Sequence, residues 1–321
     1  MKPILLILIT LLICQISFAR SFFDADVDFK TLTLAKLDSL LTEGADFAEA
    51  DYEGWTPILW SAENNPNPEV IEGLVTAGAD INAADNQGRT PIMMAAARNT
   101  SPDVLQAIVD AKADVNAKDE KGRTALMYVD TNPSSEILLQ ILLKAKAKLN
   151  ERDQDGLDPL MWACKDKASA GFVKALITAG AKDVAKDANG KTTLMFAAEN
   201  IDSPEVISLL LKGGAKLNAK AENGDTALIC AAGKNTNVEV IKTLLQAGAK
   251  INDTGAGNYT ALMAATFTNP NPFVTMELLN SGANAKLKNS EDQTAYQIHE
   301  NSYYKAEWTP EQEQILKKAC E

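Results

Sequence analysis

Threonine recurs along this chain at a fixed interval of 34 residues. The series is Thr56, Thr90, Thr124, Thr192, Thr226, Thr260 and Thr294, and Asp158 stands at the one position in the series where threonine is lost. Five of these seven threonines follow a glycine by two positions, as in Gly88-Arg89-Thr90-Pro91. Self-similarity at such a period is the mark of stacked structural units. The sequence therefore predicts a repeat array in which each unit packs on its neighbours, rather than a single compact core.

One repeat, residues 187–220, divides into a turn, a short helix, a loop, a second helix and a return. The turn ends at Gly190, because glycine accepts the positive φ that other residues resist. Thr192 then caps the first helix, which carries the small pair Ala197-Ala198. This pair allows the backbone of a neighbouring repeat to approach closely.

The start of the second helix is marked by a further 34-residue series of preferred N-cap residues. The series is Asn67, Ser101, Ser135, Ser169, Ser203, Asn237 and Asn271. Most of these helices end at Gly-Ala pairs, where glycine serves as the left-handed cap. Lys112 and Lys146 replace that glycine in two repeats, so we expect strain or fraying there.

These residues resemble the ankyrin repeat over roughly residues 31–295. The shared features are the Asp-x-x-Gly-x-Thr-Pro-Leu turn and helix, the Ala-Ala pair, the Leu-Leu second helix and the Gly-Ala-x-x-Asn return. The resemblance implies an all-α repeat solenoid, an ankyrin-like stack of about eight helix-loop-helix units with hairpin-like connecting turns. The histidine that the family places after Thr-Pro-Leu is absent, and its positions hold Leu59, Met93, Met127, Met161, Met195, Ile229 and Met263. The hydrogen bonds that this histidine makes between repeats must therefore be absent or replaced by packing.

The ends of the chain predict four segments. Residues 1–19 are a signal peptide, 20–53 an N-terminal capping repeat, 54–291 the repeat array and 292–321 a C-terminal capping repeat. Phe22 and Phe23 are assigned to a degenerate first helix. Thr309-Pro310-Glu311-Gln312 predicts a capping box for a final helix that buries Ile315, Leu316 and Ala319.

The signal-peptide assignment rests on Lys2, on the apolar run at residues 4–14 and on Ser17-Phe18-Ala19, with cleavage after Ala19. The run is shorter than the roughly 20 residues that span a bilayer, so the mature chain is expected to have no transmembrane span. The pattern favours export to the periplasm or secretion from a bacterium. A signal anchor in the membrane, or a lipid anchor at Cys14, is the alternative.

Charge narrows the possible partners, and the cysteines are assigned by their expected burial. Residues 20–116 hold 6 Lys and Arg against 17 Asp and Glu, which makes nucleic acid a poor partner. This acidity serves either solubility or the steering of a basic protein. Cys164 and Cys230 are expected to be small buried hydrophobes, and Cys320 is a candidate for an exposed, reactive thiol.

No catalytic, metal-binding or cofactor-binding residue is predicted. His299 is the single histidine and is assigned to a polar position near the C-terminal cap. The acidic segment Asp153-Gln154-Asp155-Gly156 lacks the spacing of a calcium loop. Asp130 replaces an alanine and is expected to be paired or to face a groove. A stripe of large side chains is assigned to packing between repeats, with an aromatic ligand groove as the alternative: Trp60, Met94, Tyr128, Trp162, Phe196 and Cys230.

The resemblance also implies where a partner binds, because ankyrin-like stacks bind proteins on a concave face formed by the hairpin tips and the ends of the first helices. Matching positions in this chain are Tyr52, Trp55, Glu63, Gln87, Arg89, Arg98, Lys121, Arg123, Lys165, Lys191, Asp225, Tyr259 and Phe267. Trp55, Tyr259 and Phe267 stand out among them as exposed aromatics. Exposed aromatics, and arginines such as Arg89 and Arg123, are enriched among interface anchors.

The function expected from the sequence is that of a non-enzymatic, monomeric protein-protein interaction scaffold whose partner is unidentified. One alternative is an envelope-tethered or host-delivered factor that uses the same surface. The other is a small-ligand receptor or an enzyme that uses the mid-array aromatic groove.

Overall fold

The computed structural model describes residues 20–130, 132–182 and 185–321, and the predicted signal peptide lies outside them. Across these residues the chain forms sixteen α-helices, three short 3₁₀ helices and no strands beyond two isolated bridges. The fold is an all-helical repeat solenoid, as the sequence predicts. It consists of two compact units, one ending at Ala147 and the other running from Lys148 to Glu321.

In the first unit, helices from the two halves of each repeat form separate layers. The helices are α1 (Leu34–Thr42), α2 (Pro57–Asn64), α3 (Pro68–Ala77), α4 (Pro91–Arg98), α5 (Pro102–Asp110) and α6 (Ser135–Lys144), with a 3₁₀ helix at Ala125–Met127. The first helices α2 and α4 contact each other, and α4 contacts the 3₁₀ helix. The second helices α1, α3, α5 and α6 contact one another in chain order. The core lies between these layers, where Ile58, Leu74 and Leu105 are fully buried.

The second unit repeats this arrangement. Its first helices are α7 (Pro159–Lys165), α9 (Thr193–Asn200), α11 (Ala227–Lys234), α13 (Ala261–Thr268) and α15 (Ala295–His299). Its second helices are α8 (Ala170–Thr178), α10 (Pro204–Lys212), α12 (Val238–Gln246), α14 (Pro272–Asn280) and α16 (Pro310–Cys320). The 3₁₀ helices lie at Ala256–Asn258 and Lys305–Glu307. Each helix packs on its counterpart in the next repeat.

The helix ends follow the local signals in the sequence. The Thr192 hydroxyl accepts a hydrogen bond from the Met195 amide, and at the exceptional position the Asp158 carboxylate does the same for Met161. The capping box at Thr309 is confirmed. Lys112 and Lys146 adopt the left-handed conformation, with φ of 68° and 67°, so the prediction of strain where glycine is lost is also confirmed.

Three predictions about helices are wrong. The helix expected to be capped by Ser135 begins at that residue and has Ser134 as its N-cap, because the preceding loop is one residue shorter than in the other repeats. Phe22 and Phe23 lie in turns rather than in a helix. Ile315 is 46% exposed, because the terminal helix α16 turns Leu316 inwards instead.

Candidate functional site

The hairpin tips are built on aspartates at 34-residue spacing: Asp51, Asp85, Asp119, Asp153 and Asp187. In the second of these tips, Oδ1 of Asp85 accepts hydrogen bonds from the amides of Gln87 (2.9 Å) and Arg89 (2.8 Å). Asp119 makes the same pair of bonds with Lys121 and Arg123. Since one carboxylate oxygen binds two amides across each of these turns, the tips present their side chains from a fixed backbone.

The other carboxylate oxygen binds a large side chain. Asp51 and Asp153 accept from the indole nitrogens of Trp60 (3.1 Å) and Trp162 (2.8 Å). Asp119 accepts from the Tyr128 hydroxyl at 2.6 Å. Burial and this hydrogen bond raise the pKa of Tyr128 above its usual value, so the phenol stays protonated. Three members of the stripe, Trp60, Tyr128 and Trp162, are therefore fixed to the tips.

Cationic side chains cover these aromatic rings. Arg123 lies 4.6 Å from the ring centre of Tyr128, Lys165 lies 4.5 Å from that of Trp162, and Lys191 lies 5.0 Å from that of Phe196. A cation over the face of a ring is attracted by the negative charge of its π-system. Because these ring faces are already covered, the stripe is better suited to packing than to holding a flat aromatic ligand.

A carboxylate with little exposure lies at the end of a first helix in each unit. Glu63 binds Nη1 of Arg98 at 3.0 Å, and Glu199 binds both Lys191 (2.6 Å) and Lys234. Burial disfavours the charge on Glu199, yet the two lysines outweigh it and lower the pKa of this carboxyl below its usual value. In both units the exposed partner lies 35 residues after the glutamate, so the pair links successive repeats.

A ladder of buried asparagines was missed by the sequence reasoning. Nδ2 of Asn99 donates to the carbonyls of Ala62 (2.9 Å) and Asn65 (2.8 Å) in the preceding repeat, and its Oδ1 accepts from the amide of Ser101. Asn65, Asn132, Asn235 and Asn269 make the corresponding bonds to carbonyls 33 to 37 residues earlier in the chain. The ladder provides hydrogen bonds between repeats in a chain that lacks the family histidine.

The signal for this ladder is present in the sequence. Asn65 and Asn99 are 34 residues apart, as are Asn235 and Asn269. Asn132 follows Asn99 by only 33 residues, which is the shortened loop that shifts the start of α6. Asparagine in a surface loop is unremarkable by itself, so only its periodicity could have revealed the ladder.

The predicted site residues differ in exposure. Tyr52, Gln87, Arg98, Lys121 and Lys165 are exposed. Those at intermediate exposure are Arg89, Arg123, Lys191, Asp225, Tyr259 and Phe267. The expectation that Trp55 is an exposed aromatic is wrong, because it is only 6% exposed. Glu63, at the end of a first helix, is 8% exposed. The Trp55 ring turns inwards onto Trp60, with 4.7 Å between ring centres, and Arg89 covers its other side.

Some of these residues are brought together. Lys165, Lys191 and Phe196 line a groove of about 490 Å³ between neighbouring tips of the second unit. Near the end of that unit, Phe267 lies against Tyr303, with 6.4 Å between ring centres, and Tyr303 is 89% exposed. Tyr52, at the first hairpin tip, is exposed to the same extent as Tyr303.

The residues considered for other chemistry are largely buried. Cys164 and Cys230 are buried, as predicted, and burial raises the pKa of the Cys230 thiol to about 12. Cys320 is half-buried, so the suggestion of an exposed thiol is wrong. His299 lies in α15 near the C-terminal cap, as predicted, and it is buried there, with its ring centre 4.2 Å from that of Trp308. Asp130 is 8% exposed.

Within residues 20–130, 132–182 and 185–321, no group of three or more His, Cys, Asp or Glu side chains is placed to hold a metal ion. In the same part of the chain, no helix combines the length and apolar character needed to cross a membrane.

Comparison with known protein families identifies the fold. Five overlapping stretches match the family described as ankyrin repeats (3 copies), at residues 32–119, 93–187, 126–221, 168–255 and 194–290. Together they cover well over half of the chain. The chain belongs to the ankyrin-repeat family. A search of the curated proteins gives no match. Ankyrin repeats are generally protein-interaction modules, and ankyrin-repeat proteins are typically non-enzymatic scaffolds.

Proposed function

We propose that this ankyrin-repeat protein is a protein-protein interaction scaffold that binds its partner through the concave face formed by the hairpin tips and the ends of the first helices. The observation that carries the proposal is the fixed geometry of the tips. Asp85 and Asp119 hold their turns, so the exposed Gln87 and Lys121 project from ordered backbone. A surface held in place before binding loses little conformational entropy when a partner docks.

The side chains available on this surface also fit protein recognition. Tyr52 is 89% exposed, and the side chain of Arg98 is 74% exposed. Tyrosine and arginine are among the residue types that dominate binding energy at interfaces. Arg89 and Arg123, by contrast, are held by the carboxylates of Asp85 and Asp119, so we assign them to shaping the tips.

Site-specific photo-crosslinking tests the proposal. A photoreactive amino acid is placed singly at Tyr52, Gln87, Lys121 or Lys165, and the protein is irradiated in extract of its source cells. Matched controls carry the same group at Ile137 and Phe273, which are 57% and 64% exposed on second helices. We expect a discrete adduct from the tip positions and none from the controls. Adducts formed only from the two control positions would refute binding through the concave face.

We also propose that the chain is exported and that residues 1–19 are removed. Support comes from the sequence alone, where Lys2 is followed by the apolar run at residues 4–14 and then by the small-residue pattern Ser17-Phe18-Ala19. Intact-mass measurement of the protein from its source cells is expected to show a chain beginning at Arg20, located in the periplasm or the medium. A chain that retains residues 1–19 would refute cleavage. A lipid-modified N-terminal fragment lost in Cys14→Ser would support the anchored alternative.

The remaining assignment concerns the ends of the array. We propose that residues 20–53 and 292–321 cap the repeats at 54–291. In support, α1 covers one side of α3, and α16 packs on both α14 and α15. Removing residues 309–321 is expected to expose apolar surface and increase binding of a hydrophobic dye, whereas Ile315→Ser, at a position already exposed, is expected to leave dye binding unchanged.

A further inference from the structure

The second helices of the first unit form a groove that the proposed function does not use. It lies between α1 and α3 and has a volume of about 540 Å³. Leu34 and Leu41 form its apolar wall on α1, and Leu34 is 37% exposed. Residues seven apart lie on one face of a helix, so these two leucines line the groove along two turns.

Gly73 determines the depth of the groove on the α3 side. A Cβ at this position would lie 2.7 Å from Cδ2 of Leu37 and 2.8 Å from Cδ1 of Leu34. The leucines of α1 therefore lie directly on the backbone of α3. Ala77 continues this apolar floor one turn later.

The rim of the groove is acidic. It carries Asp38 from α1 and Glu69 and Glu72 from α3. Lys36, the single basic residue of α1, points its ammonium to Asp26 instead, at 3.3 Å. In the part of the chain that the structure describes, none of these three rim carboxylates forms an ion pair.

The second unit provides an internal comparison. There two carboxylates of the second helices are paired with lysines, Lys174–Glu205 and Lys242–Glu239, while Glu277 on α14 accepts from the Ser281 hydroxyl. The α1–α3 groove differs from these two pairs, because three carboxylates surround one groove and its lining, among the described residues, contains no lysine or arginine. Because like charges around a rim repel one another, a basic partner would compensate the charge of this groove.

We propose that the groove between α1 and α3 binds a basic amphipathic helix of another protein. The walls are 9 and 10 residues long, which corresponds to about 14–15 Å and accommodates between two and three turns of a helix. Apolar side chains at i, i+4 and i+7 of the partner pack on Leu34, Leu41 and Ala77. Lysines or arginines flanking that stripe reach the three rim carboxylates. A second copy of this chain does not fit through the same groove, because a symmetric contact would bring the acidic rims together.

Fluorescence anisotropy with designed peptides tests this inference. The probe is a labelled 18-residue helix of leucines and lysines, with the leucines on one face. Two reference peptides have glutamate in place of lysine, or the same composition in scrambled order. We expect the amphipathic lysine peptide to bind at least about tenfold more tightly than either reference, and its affinity to fall as salt rises.

Variants of the purified protein localise the binding. The groove variant carries Asp38→Asn, Glu69→Gln and Glu72→Gln. The control, with the same change in net charge, carries Asp202→Asn, Glu222→Gln and Glu291→Gln, all at exposed positions of the second unit. We expect the groove variant to bind the lysine peptide about tenfold more weakly and with a shallower salt dependence, while the control stays within about twofold.

A third variant, Thr76→Arg, places a positive charge at an exposed position of the groove and is expected to weaken binding at least as much. Thermal unfolding by circular dichroism checks that every variant is folded. Equal weakening in the groove and control variants would show that only net charge matters and would overturn the proposal. So would equal binding of the glutamate peptide, or a dimer in light scattering that the groove variant abolishes.

Discussion

The asparagine ladder makes a sharp prediction for Asn99→Ala. Asn99 is 2% exposed, and its side chain makes three hydrogen bonds, to the carbonyls of Ala62 and Asn65 and from the amide of Ser101. Each such bond contributes about 1 kcal/mol net, and alanine leaves buried polar atoms unpaired. We therefore expect the free energy of unfolding to fall by about 3 kcal/mol, which is larger than most single substitutions cause.

Urea unfolding followed by circular dichroism measures this loss. The matched control is Asn64→Ala, since Asn64 is exposed on α2 and is expected to change stability by less than about 0.5 kcal/mol. Asn99→Asp is a second test, because aspartate retains the acceptor but places a negative charge against two carbonyl oxygens. It is expected to be at least as destabilising as alanine at neutral pH, and to recover in part as acid protonates it. A loss below about 1 kcal/mol in Asn99→Ala would refute the view that the ladder holds neighbouring repeats together.

Three further predictions use the same measurement. Lys112→Gly and Lys146→Gly are each expected to raise the free energy of unfolding by about 0.5–1 kcal/mol, because glycine removes left-handed strain. The control Ala145→Gly, at a position with negative φ, is expected to lower the free energy of unfolding. A loss of stability in both lysine variants would contradict the strain argument. Burial lowers the pKa of His299 below its usual 6.5, so the unfolded state binds a proton first and stability is expected to fall as pH drops below about 6.5. In His299→Phe this slope should flatten, and an unchanged slope would exclude His299 as its source. Glu199→Gln is expected to cost about 1–2 kcal/mol at pH 7, against less than about 0.5 for the exposed pair variant Glu205→Gln. Because the folded pKa of Glu199 is lowered, the larger stability loss of Glu199→Gln should be present above pH 4.5 and shrink below that pH. Equal stability losses in Glu199→Gln and Glu205→Gln would contradict this prediction.

Features encoded within a few residues could be read directly from the sequence. The hairpin tips, the N-caps and the left-handed positions each depend on a side chain and backbone groups no more than five residues away. This is why the capping box at Thr309 and the strained Lys112 and Lys146 were found before the structure. The start of α6 was missed by one residue, because the shortened loop breaks the register locally.

Burial was harder to predict where a residue lies near the end of an element. Trp55 occupies a tip position, where the sequence predicts exposure, yet its ring packs at a tilt against Trp60 and is covered by Arg89 from the following repeat. The sequence places His299 at a polar helix position near the C-terminal cap, but it does not show that Trp308 covers this residue. In both cases the covering residue belongs to another turn or repeat, so no local pattern contains the information.

The sequence by itself determined the 34-residue period, the order of the helices and the membership of the ankyrin-repeat family, because these follow from residue types at fixed spacing. Only the tertiary structure decided which polar groups meet. The bonds from Asn99 to Ala62 and from Lys234 to Glu199 join residues 37 and 35 positions apart. Periodicity places such residues in equivalent positions, but the close packing of successive repeats brings their atoms within bonding distance.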